Sequence, residues 1–468
     1  MKYLLLIFCA LSICSESYAQ DKVIIGIRGN EAASRWFAKS TPDSILAEDK
    51  TTEFESGTTD VKIFTSLANK SVLIVLPKTF TPNTLMEALI KTRIAKSNGA
   101  RSIEVYSPVA LSSVDVVDAQ GARIFLPLPS MFAIAGAEFV NEQGGIRTGL
   151  SPENMSLFKK EEPKKSFIFG DDHPELRDEL SEILNIPVLK DIKGDLSGMH
   201  IFYIAPFMVP ANEVLLKQMS VVRYLITKGA RIHFVSTCLA YGRADRMNGP
   251  GTTVSGALVV NEIEGLGIEG TFIIRAHAAQ SEGFFRGPVT HLSGQNTILP
   301  YLMKRKVTRI MAPDNGALKE STEIADKIGA SIGGVNKIRN KKTKQIKIVA
   351  ISASYLDEKK VSLRGKVVAM PDDETNTGST QDEGATRIKK EKRPKEIIAV
   401  VIHVTGTAKA AIESKAIQEL VVTNTVPLSK EVRDNKKVTV LSIAPELAEA
   451  LKPFVIANCA DRIRKIAK

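Results

Sequence analysis

A polar segment in the last quarter of the chain combines two adjacent acids with a turn rich in hydroxyl groups. In "KVVAMPDDETNTGST" an apolar run ends at the adjacent acids Asp372 and Asp373. The turn that follows contains Thr377, Gly378, Ser379 and Thr380. A turn of this kind at a helix start offers hydroxyls, backbone N–H groups and the positive end of the helix dipole to an anion. The two acids would repel a bare phosphate, so the expected ligand also carries hydroxyl groups or a divalent cation.

The elements that must position this segment alternate along most of the chain. Short runs rich in valine and isoleucine, such as "HIFYIAP", "RIHFVST" and "EIIAVVIHV", are separated by helical patterns such as "PNTLMEALIKTRIAKSNGA". This alternation indicates an α/β fold with mainly parallel sheets that are covered on both faces. Open α/β sheets bind ligands beyond the carboxyl ends of their strands, which is where the polar turns lie.

One unit of this alternation occurs twice. Residues 83–108 resemble residues 212–237, because each segment is a long helix closed by Gly-Ala-Arg and followed by a strand. An apolar strand precedes both, so a whole βαβ unit is duplicated. The expected organisation is a first lobe over residues 21–150, a polar linker over 151–165, a second lobe over 166–290 and a third lobe over 291–468.

The N-terminal sequence "MKYLLLIFCALSICSESYAQ" has the pattern of a secretory signal peptide over residues 1–19. A lysine precedes the apolar run, and small residues precede a cleavage expected after Ala19. The run is too short to span a bilayer comfortably, and no later segment resembles a membrane helix. We therefore expect no membrane partner. The location is expected to be periplasmic or secreted if the leader is cleaved, and cytoplasmic otherwise.

Charge and cysteine content indicate which ligands to expect and argue against a fold held together by disulfides. The net charge of +11 indicates a basic surface that suits phosphorylated ligands. The basic runs at 336–347 and 387–396 have no interleaved aromatic residues, so we expect no nucleic-acid partner. Only Cys238 and Cys459 lie outside the leader, which is too few for a disulfide framework. Both are expected to be buried small residues.

Several further motifs occur in a fixed order. They are "YGRADR" (241–246), "AHAAQSEGFF" (276–285), "APDNGA" (312–317), "VNKIRN" (335–340), "DDETNTGST" (372–380) and "VVTNTVPLSKEV" (421–432). With these motifs, residues 166–452 resemble the ribose-phosphate diphosphokinases, also called phosphoribosyl pyrophosphate synthases. The resemblance implies tandem phosphoribosyltransferase-type (Rossmann-like) lobes. It also implies transfer of a diphosphate from ATP to ribose 5-phosphate with Mg²⁺, in nucleotide biosynthesis.

The resemblance assigns roles to particular residues. It implies that His277 and Asp314 bind the metal, and that Lys337 and Arg339 are catalytic. For the nucleotide it implies Arg243, Asp245 and Arg246. For the 5-phosphate it implies Thr377, Gly378, Ser379 and Thr380, with Asp372 and Asp373 on the ribose hydroxyls.

The first lobe looks like an extra copy of the family's N-terminal lobe. Its "EFESGTT" is similar to the Phe-Ser-Asp-Gly-Glu loop, which in the family reaches the adenine of a neighbouring subunit's ATP, and the second copy lacks this loop. Phe54 is therefore a nucleotide-binding candidate, and an ordinary core position is the alternative. The expected assembly is a homo-oligomer or an intrachain pseudo-dimer.

Three departures from the family pattern bear on activity. Asn376 replaces an acid of the sugar loop, Ala244 replaces a glutamine, and Arg275 replaces an aspartate two residues before His277. On a strand, positions two apart face the same way, so Arg275 is expected to put a cation where the metal should bind, unless it turns onto a phosphate instead. Charges about 4 Å apart near a surface interact by about 4 kcal/mol, enough to weaken a metal.

Three functions therefore remain open. The first is a ribose-phosphate diphosphokinase. The second is a catalytically impaired relative that binds phosphoribosyl or nucleotide ligands or acts as a scaffold. The third is a phosphoribosyltransferase acting on a base, which shares the sugar loop but leaves "YGRADR" and "VNKIRN" unexplained.

Overall fold

The computed structural model covers most of the three expected lobes. It describes residues 22–40, 44–54, 57–68, 70–77, 81–106, 114–117, 123–126, 131–132, 138–140, 165–314, 316–339, 346–352 and 362–456. The leader, residues 151–164 of the expected linker and Cys459 lie outside the described residues. Cys238 is buried as a free thiol. Within the described ranges, no helix has the length and apolar character needed to cross a membrane.

The first lobe is built on a five-stranded sheet of order β2-β1-β5-β6-β9, in which every neighbouring pair is parallel. Its strands are β1 (Lys22–Gly26), β2 (Ser44–Leu46), β5 (Ser71–Val75), β6 (Ser102–Tyr106) and β9 (Glu138–Val140). Two antiparallel hairpins accompany it, formed by β3 (Asp49–Glu53) with β4 (Thr59–Ile63) and by β7 (Val114–Val117) with β8 (Arg123–Leu126). Its described helices include α1 (Glu31–Ser40) and α2 (Pro82–Ser97).

The second lobe is a five-stranded parallel sheet in sequence order. Its strands are β10 (Lys165–Phe169), β11 (Met199–Ala205), β12 (Arg231–Ser236), β13 (Gly270–Ile274) and β14 (Val289–Leu292). Its helices are α3 (Pro174–Leu184), α4 (Ala211–Thr227) and α5 (Ser255–Gly265), followed by the 3-10 helix Ala279–Phe284. Because β14 pairs with β13, this sheet extends two residues past the boundary expected at 290.

The third lobe is a seven-stranded sheet of order β17-β16-β15-β18-β19-β20-β21, parallel except for the pair β16–β17. Its strands are β15 (Arg309–Ala312), β16 (Ser331–Arg339), β17 (Ile346–Ser352), β18 (Val367–Thr375), β19 (Glu396–Val404), β20 (Glu419–Thr423) and β21 (Val438–Leu441). Its helices are α6 (Gln295–Lys304), α7 (Leu318–Ile328), α8 (Ser379–Lys392), α9 (Lys409–Glu413), α10 (Lys430–Arg433) and α11 (Ala444–Leu451). The expected α/β fold with mainly parallel sheets is confirmed.

The duplicated βαβ units β5-α2-β6 and β11-α4-β12 pack on one another. Ten of the sixteen residues of α2 are buried, so α2 is an interior helix and not a surface one. Its Leu85 and Leu89 share one hydrophobic core with Leu215 and Met219 of α4. Each such side chain contributes about 1.5–3 kcal/mol by leaving water, so the two lobes are held together by their cores.

A second hydrophobic core joins the second and third lobes. Phe202 of β11 and Leu176 of α3 pack with Ile310 of β15 and Leu447 of α11. The chain then returns to the second sheet, where the Phe454 ring contacts the Phe272 ring with centroids 5.3 Å apart. This packing fixes the carboxyl ends of the second and third sheets beside each other.

Candidate functional site

All three lobes line one cleft of about 710 Å³. The first lobe contributes Phe54 from the β3–β4 hairpin, and the second contributes Tyr241 and Arg243 from the loop after β12. The third contributes Asn376 and Thr377 from the turn after β18. The cleft therefore brings together three sequence segments that lie far apart along the chain.

The turn between β18 and α8 forms a compact anion cradle. Gly378 has a φ of 83° at the N-cap of α8. A Cβ there would lie 2.5 Å from the backbone nitrogen of Ala411, so only glycine fits this close approach. Thr377 and Ser379 are exposed, and their hydroxyl oxygens lie 2.9 Å apart. The hydroxyls and backbone N–H groups at this helix start can bind a phosphate.

The two acids at the end of β18 differ in charge state. Burial raises the pKa of Asp372 well above its usual range, and the negative charges of Asp373 and Asp314 add to the effect. Burial also acts to raise the pKa of Asp373, but the hydrogen bond and charge of His277, with the charge of Arg275, hold it below its usual value. The pair thus presents one carboxyl that resists ionisation and one carboxylate.

Two side-chain hydrogen bonds made by Gln381 of α8 orient Asp372. The Gln381 Nε2 donates to Asp372 Oδ2 at 2.7 Å, and Gln381 Oε1 accepts from Thr375 Oγ1 at 3.0 Å. Gln381 and Thr375 are both buried. Because Gln381 belongs to the helix that begins at the anion cradle, Asp372 is held in a defined orientation relative to the cradle.

The two expected metal ligands lie shortly after the ends of strands β13 and β15. His277 comes three residues after β13, and its Nδ1 donates to Asp373 Oδ2 at 2.6 Å. That hydrogen bond, with the charge of Asp373, raises the pKa of His277. Asp314 comes two residues after β15, and its Oδ1 accepts from the N–H groups of Gly316 at 2.9 Å and Ala317 at 3.2 Å.

The acids are better suited to bind a divalent cation that keeps its water ligands than one held by protein ligands alone. No group of three or more His, Cys, Asp or Glu side chains in the described ranges is arranged to hold a metal by itself. Asp314, Asp372 and Asp373 are nevertheless close enough for the first and third to raise the pKa of the second. A divalent cation at this cluster would relieve the repulsion. Mg²⁺ usually takes only one or two protein carboxylates and keeps its waters.

Arg275 does not face the same way as His277, so that expectation is wrong. The strand β13 ends at Ile274, and Arg275 has a left-handed φ of 42°, which breaks the alternation of side chains. The Arg275 guanidinium instead pairs with Glu320 of α7, which is 7% exposed. Burial raises the pKa of Glu320 to about 7 although the Arg275 charge opposes it. Arg275 still lies close enough to Asp373 to lower the pKa of that acid.

The nucleotide candidates lie at the cleft or beside it. Arg243 is exposed, and its Nη1 lies 3.8 Å from Glu374 Oε1 at the end of β18. Asp245 Oδ2 accepts from Gln280 Nε2 at 2.9 Å. Arg246 is exposed. Phe54 is 53% exposed and lines the cleft, so it is not a core residue.

The two catalytic candidates lie on a hairpin, of which the structure describes the strands. Lys337 and Arg339 belong to β16 and oppose Ile348 and Ile346 of β17. Their side chains and residues 340–345 lie outside the described part. The backbone places the two residues two positions apart on one strand.

Sequence reasoning missed a buried histidine that ties the second and third lobes together. His403 of β19 is 3% exposed, and its Nε2 donates to the carbonyl oxygens of Ile274 at 3.1 Å and Arg275 at 3.0 Å. Burial lowers the pKa of His403, which keeps the ring neutral. The signal available was a histidine inside the apolar run "EIIAVVIHV".

Curated relatives are ribose-phosphate pyrophosphokinases. The enzyme of Helicobacter hepaticus is 30% identical over 266 residues, covering 56% of this chain and 82% of the relative. That of Wolinella succinogenes is 28% identical over 301 residues, covering 60% of this chain and 93% of the relative. No family model matches the chain.

A solved structure shares the fold. The phosphoribosylpyrophosphate synthetase from Mycobacterium smegmatis superposes with a TM-score of 0.55 at 24% identity, over 62% of this chain and 99% of that chain. The tandem phosphoribosyltransferase-type architecture is therefore confirmed. With collinear motifs, a matching fold and a relative at 30% identity, this chain belongs to the ribose-phosphate pyrophosphokinase family.

Proposed function

We propose that this protein transfers the diphosphate of ATP to the C1 hydroxyl of ribose 5-phosphate, giving phosphoribosyl pyrophosphate and AMP. One observation carries the proposal: a single cleft is lined by Arg243 of the nucleotide segment and Thr377 of the anion cradle. Asp372, next to Asp373, is hydrogen-bonded to Gln381 of the helix that begins at that cradle. A triphosphate and a sugar phosphate bound at these two places would meet end to end, which is the arrangement that phosphoryl transfer requires.

The anion cradle and the acid pair suit the sugar. Thr377, Ser379 and the backbone beside Gly378 would hold the 5-phosphate at the start of α8. Asp373, kept ionised beside His277, would accept hydrogen bonds from ribose hydroxyls. Asp372, whose pKa is raised by burial, would donate as well as accept.

The nucleotide side is basic and has one aromatic face. Arg243 and Arg246 would bind phosphate oxygens, for which the planar guanidinium is suited. Phe54 would stack on the base. Lys337 and Arg339, on their hairpin, would neutralise charge on the transferred group, a role that rests on the family motif.

Mg²⁺ is the proposed cofactor, with Asp314 and His277 as its protein ligands together with substrate phosphate oxygens. The ion would supply charge neutralisation on the diphosphate. The hydrogen bond from His277 to Asp373 raises the pKa of the imidazole, so a proton must leave His277 before a metal binds there. Among the described residues, the hydrogen bonds of Asp314 are to the backbone N–H groups of Gly316 and Ala317.

Binding without turnover is the second candidate function. The Arg275 guanidinium lies close enough to Asp373 to lower its pKa, so it competes with a metal cation for the same acid. Export after cleavage at Ala19 would also favour this function, because compartments outside the cytoplasm generally lack ATP.

One assay separates the two functions. The purified chain is incubated with ATP and Mg²⁺, with and without ribose 5-phosphate, and AMP is measured. AMP that appears only with the sugar supports transfer. A rise in melting temperature with either ligand, but no AMP, supports binding alone. Absence of both responses refutes both functions.

A further inference from the structure

We infer that a buried hydrogen-bond cluster centred on Tyr241 fixes the β3–β4 hairpin at the cleft, so that the base end of the nucleotide site is closed within one chain. The Tyr241 cluster consists of Tyr241, Asn212, Thr59 and Asn83. The ligand concerned is a purine nucleotide, so this inference rests on the proposed function. Tyr241 is a positioning residue in it, acting through Phe54.

The cluster joins the two duplicated lobes through saturated polar contacts. The Tyr241 hydroxyl accepts from the Thr59 backbone N–H at 2.9 Å and donates to Asn212 Oδ1 at 2.6 Å. The Asn212 Nδ2 donates to Thr59 Oγ1 at 2.8 Å and to Asn83 Oδ1 at 2.9 Å. Thr59, Asn212 and Tyr241 are 2%, 0% and 6% exposed. A buried polar group left without its partner is costly, so these bonds hold the hairpin in one place.

The hairpin backbone also fits tightly against the second lobe. A Cβ at Gly57 would lie 2.7 Å from the backbone nitrogen of Ala211, where α4 begins. The Ile63 N–H donates to the Gly251 carbonyl at 2.9 Å. The hairpin is therefore anchored near its tip and at its base, which leaves its tip beside the cleft.

Ion pairs hold the hairpin from the side of the first lobe, and the pair between Lys91 and Glu87 is buried. Lys91 of α2 lies 2.8 Å from Asp49 and 2.7 Å from Glu87. Arg28 lies 2.5 Å from Glu87 and 2.6 Å from Glu53. Asp49 and Glu53 are the two ends of β3, so this strand is fixed along its length.

Tyr241 also sets the path of the nucleotide segment. It has a left-handed φ of 60°, a conformation disfavoured for a residue with a Cβ. Gly242, Arg243 and Ala244, which follow it, line the cleft together with Phe54. Tyr241 thus links the position of the Arg243 guanidinium, on the phosphate side of the nucleotide site, to the position of the Phe54 ring on the base side.

The test replaces Tyr241 by phenylalanine, which keeps the ring and removes the hydroxyl. The matched control is Tyr203→Phe, because Tyr203 is a buried tyrosine of β11 outside the cluster. We expect Tyr241→Phe to raise the KM for ATP and the Kd for ADP about tenfold, since a net hydrogen bond or two is lost. The kcat should change less than about twofold, and Tyr203→Phe should change neither constant. Equal effects of the two variants would overturn the inference.

A double-mutant cycle tests whether Tyr241 acts through Phe54. Phe54→Ala should weaken ADP binding in the wild type, but it should have little further effect in the Tyr241→Phe protein. Additive effects would contradict the inference. If Tyr241→Phe does not fold, Thr59→Val removes one acceptor of the cluster, and its effect on ADP binding should depend on Phe54 in the same way.

Calorimetric ADP binding separates this inference from the proposed function. A wild type that binds ADP but releases no AMP refutes diphosphate transfer, and the variants still test the Tyr241 cluster by their Kd values. A wild type that releases AMP while Tyr241→Phe binds ADP normally refutes the cluster alone. A wild type that binds no ADP overturns both.

Discussion

Replacing Gly378 by alanine tests the anion cradle most directly. Gly378 lies at the N-cap of α8 with a φ of 83°. An added Cβ would lie 2.5 Å from the backbone nitrogen and 2.7 Å from the Cβ of Ala411. Both atoms belong to Ala411 of α9, and neither is the end of a flexible side chain. The cradle must therefore move to accommodate a methyl group.

The structure provides a matched control for this change. Gly365 has a similar φ of 71°, and a Cβ there would meet nothing within 4 Å. A left-handed residue with a Cβ costs about 1 kcal/mol at either position. Forced overlap at Gly378 adds about 1–3 kcal/mol. We therefore expect Gly365→Ala to lose about 1 kcal/mol of unfolding free energy and Gly378→Ala about 2–4 kcal/mol.

Two measurements check this prediction. Urea unfolding gives the loss of stability for each variant, and the shift of melting temperature with ribose 5-phosphate reports whether the cradle still binds. Gly378→Ala should lose the ligand-induced shift, whereas Gly365→Ala should retain it. Equal destabilisation by the two changes, or an unchanged ligand shift in Gly378→Ala, would refute the geometric reasoning.

Three further predictions concern the acids and their partners. Asp314→Ala should reduce AMP release more than a hundredfold if this carboxylate binds Mg²⁺, and unchanged release would refute the metal assignment. Arg275→Asp should lower the Mg²⁺ concentration for half-maximal activity, and an unchanged Mg²⁺ requirement would contradict the electrostatic argument. The same change should lower the unfolding free energy measured in urea by about 3 kcal/mol, because Glu320 stays buried without its partner. His277→Gln should be less stable than the wild type, and the full difference in unfolding free energy should be present below pH 6.5, because the folded pKa of His277 is raised above 6.5. The difference should vanish as the pH rises through that raised pKa. A difference that does not change with pH would exclude the ion pair with Asp373.

The sequence pattern alone predicted the parts of the fold that depend on residues close together along the chain. The alternation of apolar runs and helical segments predicted the parallel sheets, and the repeat predicted that β5-α2-β6 and β11-α4-β12 are the same unit. The turn around Gly378 was predicted from its residue types alone. Each of these depends on contacts between residues near in sequence or on the period of a side-chain pattern.

Long-range partners could not be predicted in this way. The direction of Arg275 follows from a left-handed backbone and from Glu320, which lies on a helix 45 residues later. Tyr241 bonds the backbone of Thr59 across 182 residues. No periodic pattern encodes such pairs, because they depend on how whole lobes pack.

The packing of α2 on α4 has a consequence for how this protein can change. Two identical subunits that meet across a symmetric interface must satisfy both halves with one sequence, so every substitution appears twice. Here the two copies are encoded separately. The hairpin that carries Phe54 belongs to the first lobe and the loop that carries Arg243 belongs to the second, so a substitution in one need not be repeated in the other.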